Sequence, residues 1–134
     1  MEDMTFSDVI ETLDYLRRIS AYNVSSYFNR KYSFYIKIDP KNTMGGVFAS
    51  GTFGKYDIKF STSGPGKMVY VGIYKKGDTQ AIPIKQVTKS YGVGSYSYQN
   101  TIRTEGSSRT IHGLHNKLLY FCKILKIDLT PYKI

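Results

Sequence analysis

Apolar residues recur every three or four positions near both ends of the chain, which is the spacing of an amphipathic helix. The first stripe predicts a helix over residues 5–20, and the last predicts a helix over residues 109–127, capped by Ser107 or Ser108. A shorter helix is predicted over residues 24–30, with Asn23 as its cap. The apolar positions of the two long stripes are Phe6, Val9, Ile10, Leu13, Leu16 and Ile19, then Ile111, Leu114, Leu118, Phe121, Cys122 and Leu125.

Between these helices the period shortens to two, which is typical of antiparallel strands with one buried face. Alternation predicts strands over residues 32–38, 55–61 and 68–74, of which the second is the clearest because lysines and an aspartate alternate with Tyr56, Ile58 and Phe60. A fourth strand is predicted over residues 80–88. The range 91–103 is predicted to be either a fifth strand or, because its core is rich in glycine, a flexible loop.

Glycine and proline residues punctuate the strand region. Turns are predicted at residues 64–66 and 76–78, and the glycine-rich range 44–54 is predicted to be a long loop. Pro83 lies within the fourth predicted strand and indicates an edge strand or a bulge, because proline cannot donate to a ladder. Gly113 interrupts the last helix and allows a close approach to the sheet.

The order of elements predicts an α+β fold in one domain covering residues 1–134. Strands joined by short hairpins form an antiparallel meander of four to five strands. An N-terminal and a C-terminal helix, each with one apolar stripe, are predicted to pack on one face of that sheet and leave the other face open.

Charge adds a hypothesis about partners. The chain has a net charge of +9, but residues 1–14 hold five of its ten acids and no base, which leaves 19 bases against five acids in residues 15–134. This asymmetry favours a polyanionic partner, with nucleic acid first, a membrane surface second and an acidic protein third. The alternative interpretation is a charge that serves solubility alone.

Tyrosine is the second unusual feature, with 13 residues against no tryptophan. Lysines that follow phosphates and rings that stack on bases are a common means of gripping single strands, whereas a duplex would contact the lysines through its backbone. The alternative is a solvated lysine face with tyrosines packed at its margins. The predicted nucleic-acid-binding residues are Lys55, Lys59, Lys67, Tyr70, Tyr74, Lys75, Lys76, Lys85 and Lys89.

Catalytic chemistry has one candidate cluster, formed by Arg109, His112 and His115 at the start of the last helix. Imidazole and guanidinium groups could act on a phosphodiester. The helical wheel predicts instead a half-buried His115 and a surface His112 that point in different directions. Whether the protein is an enzyme is left open by the sequence.

No cofactor or metal site is predicted. Two histidines and a single cysteine, Cys122, do not supply a zinc site, and Cys122 is predicted to be a small core residue. Two Gly-Lys pairs, at residues 54–55 and 66–67, lack the remaining P-loop positions and precede strands rather than helices.

The predicted function is therefore a small basic nucleic-acid-binding protein that uses a lysine- and tyrosine-rich sheet face. The alternative is a small inhibitor or adaptor, of the type found in phages and mobile elements, that binds and blocks a nucleic-acid-handling protein. The lone cysteine and the lack of an apolar run of about 20 residues favour a reducing cytoplasm and no membrane partner.

Overall fold

The computed structural model describes residues 20–39, 46–62, 68–91 and 96–134, without the side chains of residues 89–91 and 96–99. Within these residues the chain forms two α-helices, α1 and α2, seven strands, and a short 3-10 helix at Thr130–Tyr132. Their bounds are α1 Ala21–Lys31, β1 Lys37–Ile38, β2 Gly46–Phe53, β3 Tyr56–Thr62, β4 Val69–Lys75, β5 Pro83–Tyr91, β6 Tyr96–Arg103, β7 Glu105–Ser108 and α2 Ile111–Leu125.

Five of the strands form one antiparallel sheet in the order β1-β2-β3-β4-β7. Neighbours from β1 to β4 are consecutive in the chain, as in a meander, and β7 pairs with the free side of β4 through contacts such as Val71 opposite Gly106. The predicted α+β class with a five-stranded antiparallel sheet is confirmed. The predicted strands over residues 55–61 and 68–74 match β3 and β4 closely.

The core lies between one face of this sheet and both helices. Phe60 of β3 is fully buried, and its ring centroid is 5.0 Å from that of Phe28 on α1. Leu114 and Leu118 of α2 are fully buried in the same cluster as Phe28 and Phe60. Burial of each such side chain contributes about 2–3 kcal/mol, so the helices are held chiefly by their apolar stripes.

Helix α2 approaches the sheet closely, as the glycine within it predicts. A Cβ atom on Gly113 would overlap the Ser108 hydroxyl of β7 and lie 2.9 Å from Oγ1 of Thr110. The predicted cap at Ser107 or Ser108 is wrong, because both residues belong to β7. Thr110 is the cap instead, and its hydroxyl oxygen accepts from the Gly113 amide at 3.0 Å.

Helix α1 corresponds to the short helix predicted over residues 24–30, with a different cap. Its start is capped by Ser20, whose hydroxyl oxygen accepts from the Asn23 amide at 3.1 Å, so the prediction of Asn23 as cap is wrong. The side-chain oxygen of a serine at this position accepts from the amide three residues later, which has no hydrogen-bond partner within the helix. The predicted helix over residues 5–20 and the predicted turn at residues 64–66 fall almost wholly outside the described residues.

The range 46–53, which is part of the predicted loop, forms strand β2 instead. Glycine residues hide the alternation of apolar and polar side chains in this range. At Gly51 a glycine is required for a steric reason, because an added Cβ would lie 2.8 Å from both the Tyr35 carbonyl oxygen and Cδ1 of Ile36. The segment before β1 lies directly against β2 at this point. The strand predicted over residues 32–38 is accordingly shortened to Lys37–Ile38, and Asn29 fixes the preceding backbone by accepting from the Ile36 amide at 2.7 Å.

The fourth and fifth predicted strands exist as β5 and β6, but they leave the meander. They pair with each other in a separate two-stranded sheet, here called the β5–β6 ribbon, and β7 takes the fifth place in the main sheet. The predicted irregularity at Pro83 is confirmed by a register shift between Pro83 and Lys85.

The ribbon is joined to the body at its base beside β4. The Ile82 amide donates to the Ile73 carbonyl at 2.9 Å, and the Thr104 amide donates to the Ile82 carbonyl at 2.8 Å. Thr104 is fully buried, and its hydroxyl lies 2.9 Å from the Ile73 carbonyl oxygen and 3.2 Å from that of Ile82. Both strands of the ribbon are thus anchored to one point on the sheet.

Residues 129–134 pack against the end of β2, beside the turn that leads to β3. The Tyr132 ring packs edge-on against Phe53 at 5.4 Å, and the Tyr132 carbonyl accepts from the Ser33 amide at 2.6 Å. The Ile134 amide donates to the carbonyl of Lys31 at 3.0 Å. These contacts join the segment to the residues that follow α1.

Candidate nucleic-acid interface

Three of the predicted lysines meet at one end of the sheet. Lys55 lies in the turn from β2 to β3, and Lys75 and Lys76 lie at the end of β4, where the Lys76 amide donates to the Lys55 carbonyl at 3.1 Å. The hairpin register, with Tyr56 opposite Lys75, dictates this meeting. All three lysine side chains are exposed.

These lysines border an open groove of about 420 Å³, here called the basic groove. The other lining residues are Tyr56, Ile82 and Leu125, which are half-buried and packed against the core. The basic groove lies beside the end of α2, and Tyr56 shares the core face with Ile58 and Phe60. The alternation predicts Lys55 on the open face of the sheet, but this residue lies in a turn and borders the groove instead.

The arrangement places cations around an apolar floor. Nζ of Lys55 lies 5.7 Å from the centroid of the Tyr56 ring. Ammonium groups contact phosphates as point charges, and a partly exposed ring can pack against a base or a sugar. The basic groove can therefore accept an anionic group attached to a flat or apolar one.

A smaller open pocket of about 240 Å³ lies at the base of the ribbon. Lys75 borders both this pocket and the basic groove, and Arg103 of β6 lines the pocket and donates to the Ala81 carbonyl at 2.8 Å. Arg103 is not among the binding residues that the sequence predicts. In the sequence, Arg103 lies at the end of a predicted strand, and nothing there indicates that this residue comes close to Lys75. The two residues meet only because β6 leaves the main sheet and belongs to the ribbon.

The open face of the sheet carries Lys59, Tyr70 and Tyr74, of which Lys59 and Tyr74 are engaged within the protein. Nζ of Lys59 lies 4.5 Å above the Tyr74 ring and donates to the Asp78 carbonyl at 3.1 Å. Tyr70 is half-buried opposite Ser61 and Ser107.

Tyr74 itself is buried, with 7% of its surface exposed. Its hydroxyl donates to Oε2 of Glu105 at 3.2 Å, and burial together with the Glu105 carboxylate raises the pKa of Tyr74 to about 12. The ring has little surface left for a base to stack on. Asp57, on the same face, accepts from the Thr52 hydroxyl at 2.9 Å and from the Gly77 amide at 3.2 Å, so this face mixes both signs of charge.

The remaining predicted lysines belong to segments of the chain other than those that border the basic groove. Lys85 is exposed on the ribbon, and Lys89 lies on β5 opposite Tyr98 in the register. Lys67 lies outside the described residues. The structure therefore brings together Lys55, Lys75 and Lys76 and does not place Lys59 with them.

The candidate catalytic residues occupy a different place, where α1 meets α2. The Tyr27 hydroxyl lies 3.0 Å from Nδ1 of His115 and 3.4 Å from Nδ1 of His112. The prediction that the histidines point in different directions is wrong, because positions three apart on a helix are neighbours and both side chains here reach one hydroxyl. Arg109 precedes α2 and is exposed.

His115 is half-buried and His112 is exposed, as predicted. Tyrosine hydroxyls contact both ring nitrogens of His115, since the Tyr32 hydroxyl lies 2.6 Å from Nε2. Burial, followed by the positive charges of Lys31 and neighbouring groups, lowers the pKa of His115. Its nitrogens are thus committed to contacts that join the helices.

Cys122 is buried, as predicted, and burial raises the pKa of its thiol to about 11. Among the described residues, no three histidine, cysteine or acidic side chains come together as metal ligands. In the same part of the chain, neither helix has the length and apolar character to cross a membrane.

Comparison with known proteins adds no relative: no family model, no curated protein and no solved structure matches the chain.

Proposed function

We propose that this protein binds nucleic acid, with the basic groove as its main contact. The observation that carries the proposal is the convergence of Lys55, Lys75 and Lys76 around Tyr56 and an apolar floor. Three exposed cations bordering one concavity attract a chain of phosphates, and the half-buried ring beside them suits a base or sugar. The excess of bases over acids in residues 15–134 supports the same partner.

The basic groove shares Lys75 with the pocket at the base of the ribbon, which Arg103 lines together with the acidic Asp78. A nucleic acid that follows these cations would leave the end of the sheet and run along the base of β5. Lys85 is exposed on that strand, two residues beyond Pro83. We therefore assign Lys55, Lys75, Lys76, Lys85 and Arg103 to phosphate contacts, and Tyr56 to contact with a base or sugar.

Binding is tested by fluorescence anisotropy of labelled single-stranded and duplex oligonucleotides at about 50 and 200 mM salt. Removal of one phosphate-binding cation reduces the slope of log K against log salt by about 0.9 for duplex DNA. The triple variant Lys55→Gln/Lys75→Gln/Lys76→Gln is expected to weaken binding at 50 mM salt and to lower this slope by roughly 2.7.

A matched control removes the same number of charges elsewhere. Arg30, Lys37 and Arg109 are exposed on α1, on β1 and ahead of α2, and their joint replacement by glutamine should change binding much less. Equal weakening in both triple variants would mean that net charge alone attracts the nucleic acid. Undetectable binding by the wild-type protein at 50 mM salt would refute the proposal.

A protein partner is the second candidate, in line with an inhibitor or adaptor. Leu119 and Tyr120 are adjacent on α2 and expose 41% and 61% of their surface. Their replacement by serine should abolish a stoichiometric complex in size-exclusion chromatography with an extract of the source cells. A complex retained by the variant would remove these residues from the interface.

A further inference from the structure

The β5–β6 ribbon is built as an arm. Its strands pair over eight register positions, from Pro83–Arg103 to Tyr91–Tyr96, and belong to a sheet of their own. Hydrogen bonds at its base, around Thr104, anchor it to the body. A nine-residue strand spans about 30 Å, and an isolated pair of strands is only marginally stable in water. The ribbon therefore has the length and the edges to engage a partner.

Charge decides what kind of partner fits. Residues 79–104 contain Lys85, Lys89 and Arg103 and no acidic residue. A second copy of the ribbon would bring three positive charges against three others, which disfavours pairing between copies. A polyanion meets the three positive charges of this segment with charges of opposite sign.

The register sorts the ribbon's residues into two faces. Gln86 pairs with Thr101 and Thr88 pairs with Gln99, so these four positions share one face. Gln86 and Thr88 are exposed, and Thr101 is half-buried. The next pair on this face in the register is Ser90 and Ser97. The described side chains of this face, those of Gln86, Thr88 and Thr101, thus carry amide and hydroxyl groups, which are the types that bond to base edges.

The dimensions of such a face match those of a DNA groove. Same-face residues on a strand repeat about every 6.7 Å, and two base-pair steps advance about 6.8 Å. The major groove of B-form DNA is about 12 Å wide and admits a two-stranded ribbon. The major groove of A-form RNA is too narrow and deep for side chains to read.

We infer that the ribbon enters the major groove of duplex DNA with the face of Gln86, Thr88 and Thr101 toward the bases. Lys85 and Arg103 contact the flanking phosphates, and the basic groove holds the backbone beyond the base of the ribbon. This inference rests on the proposed function, which it narrows to B-form duplex DNA.

The test combines binding with chemical protection. Dimethyl sulfate methylates guanine N7 in the major groove and adenine N3 in the minor groove of the same duplex. With a mixed-sequence duplex bound by the full chain, we expect protection of guanine N7 within the site and continued reactivity of adenine N3. The variant Gln86→Ala/Thr88→Ala should bind the best site in a random duplex pool about tenfold more weakly. Asn116→Ala/Ser33→Ala, which removes an exposed amide and an exposed hydroxyl elsewhere, should bind it like the wild type.

The outcomes separate this inference from the proposed function. If no nucleic acid binds at about 50 mM salt, both fail. If binding occurs but guanine N7 stays reactive, or the double variant binds like the wild type, the ribbon inference alone fails. Binding restricted to single strands or to A-form RNA also overturns the ribbon inference and leaves the basic groove in place.

Discussion

The hydroxyl of Tyr32 lies 2.6 Å from Nε2 of His115, and this contact joins the residue after α1 to the first half of α2. Because the Tyr27 hydroxyl contacts the other ring nitrogen at 3.0 Å, a neutral imidazole can donate to one tyrosine and accept from the other. A protonated ring donates from both nitrogens and carries a positive charge that burial disfavours. The strength of these contacts between the two helices thus depends on the charge of His115.

Stability is expected to fall in mild acid through His115. Its pKa in the folded protein lies below the ordinary 6.5, because burial disfavours the charged ring. The unfolded chain then binds the proton more readily, so the stabilisation is complete above pH 6.5 and is lost as the pH falls below it. Urea unfolding should give a lower free energy of unfolding at about pH 5.5 than at about pH 7.5. His115→Gln should lack much of this difference, and His112→Gln should keep it. An unchanged pH dependence in His115→Gln would contradict the assignment.

Gly113→Ala is expected to destabilise the protein although alanine is the better helix former. The propensity gain is about 1 kcal/mol, but the added Cβ would overlap the Ser108 hydroxyl and crowd Thr110. Overpacking of this kind costs about 1–3 kcal/mol, so a net loss of stability is expected in urea unfolding. Asn116→Ala, at an exposed position of the same helix, should be neutral or stabilising. A more stable Gly113→Ala protein would show that α2 can move away from β7.

Thr104→Val is expected to loosen the ribbon. The valine keeps the buried volume but removes the hydroxyl that lies against the Ile73 and Ile82 carbonyls. Both carbonyls retain an amide donor, so the cost should be about 1 kcal/mol. Amide hydrogen exchange should accelerate in β5 and β6 more than in β3. Thr88→Val, exposed on β5, serves as the control, and equal acceleration of all strands would place Thr104 outside the anchor.

Cys122 is expected to resist thiol reagents until the protein opens. Its side chain is buried and its thiol has a pKa of about 11, so the thiolate is scarce at neutral pH and has no access to reagent. Labelling by a disulfide reagent at about pH 8 should be orders of magnitude slower in the native protein than in urea. Rates that rise with urea in parallel with unfolding would match this expectation, and rapid labelling in water would contradict it.

The parts of the fold that the sequence predicts are those governed by local periodicity. β3, β4 and α2 each display their buried face as a clear alternation or stripe, and each lies near the predicted range. β2 is not predicted because Gly51 has no side chain to mark a face, and the close approach of Ile36 leaves no room for one. β5 and β6 leave the meander while β7 takes the place beside β4, and no local pattern in the sequence records that pairing.

In the candidate site, too, the residues placed by local pattern are predictable from the sequence, and those placed by distant contacts are not. Lys75 and Lys76 meet Lys55 because a hairpin register follows from the turn between two strands that the sequence does predict. The alternation predicts an available Tyr74 on an open face, yet this residue bonds to Glu105, which is 31 residues away in the chain and belongs to a strand that is not predicted. Arg103 joins the cations only because the ribbon returns to the end of β4.

The closing contacts of residues 129–134 have a consequence for synthesis. Tyr132 covers Phe53 and accepts a bond from Ser33, so the aromatic end of the core joins segments about a hundred positions apart. A ribosome delivers Ser33 and Phe53 long before Tyr132, and closing so long a loop is slow in comparison with forming a hairpin. The nascent protein must therefore carry an unfinished, exposed cluster of Phe34 and Phe53 until Tyr132 reaches it. A chaperone that shields aromatic surface would act on the chain during this interval, before residues 129–134 have closed over Phe53.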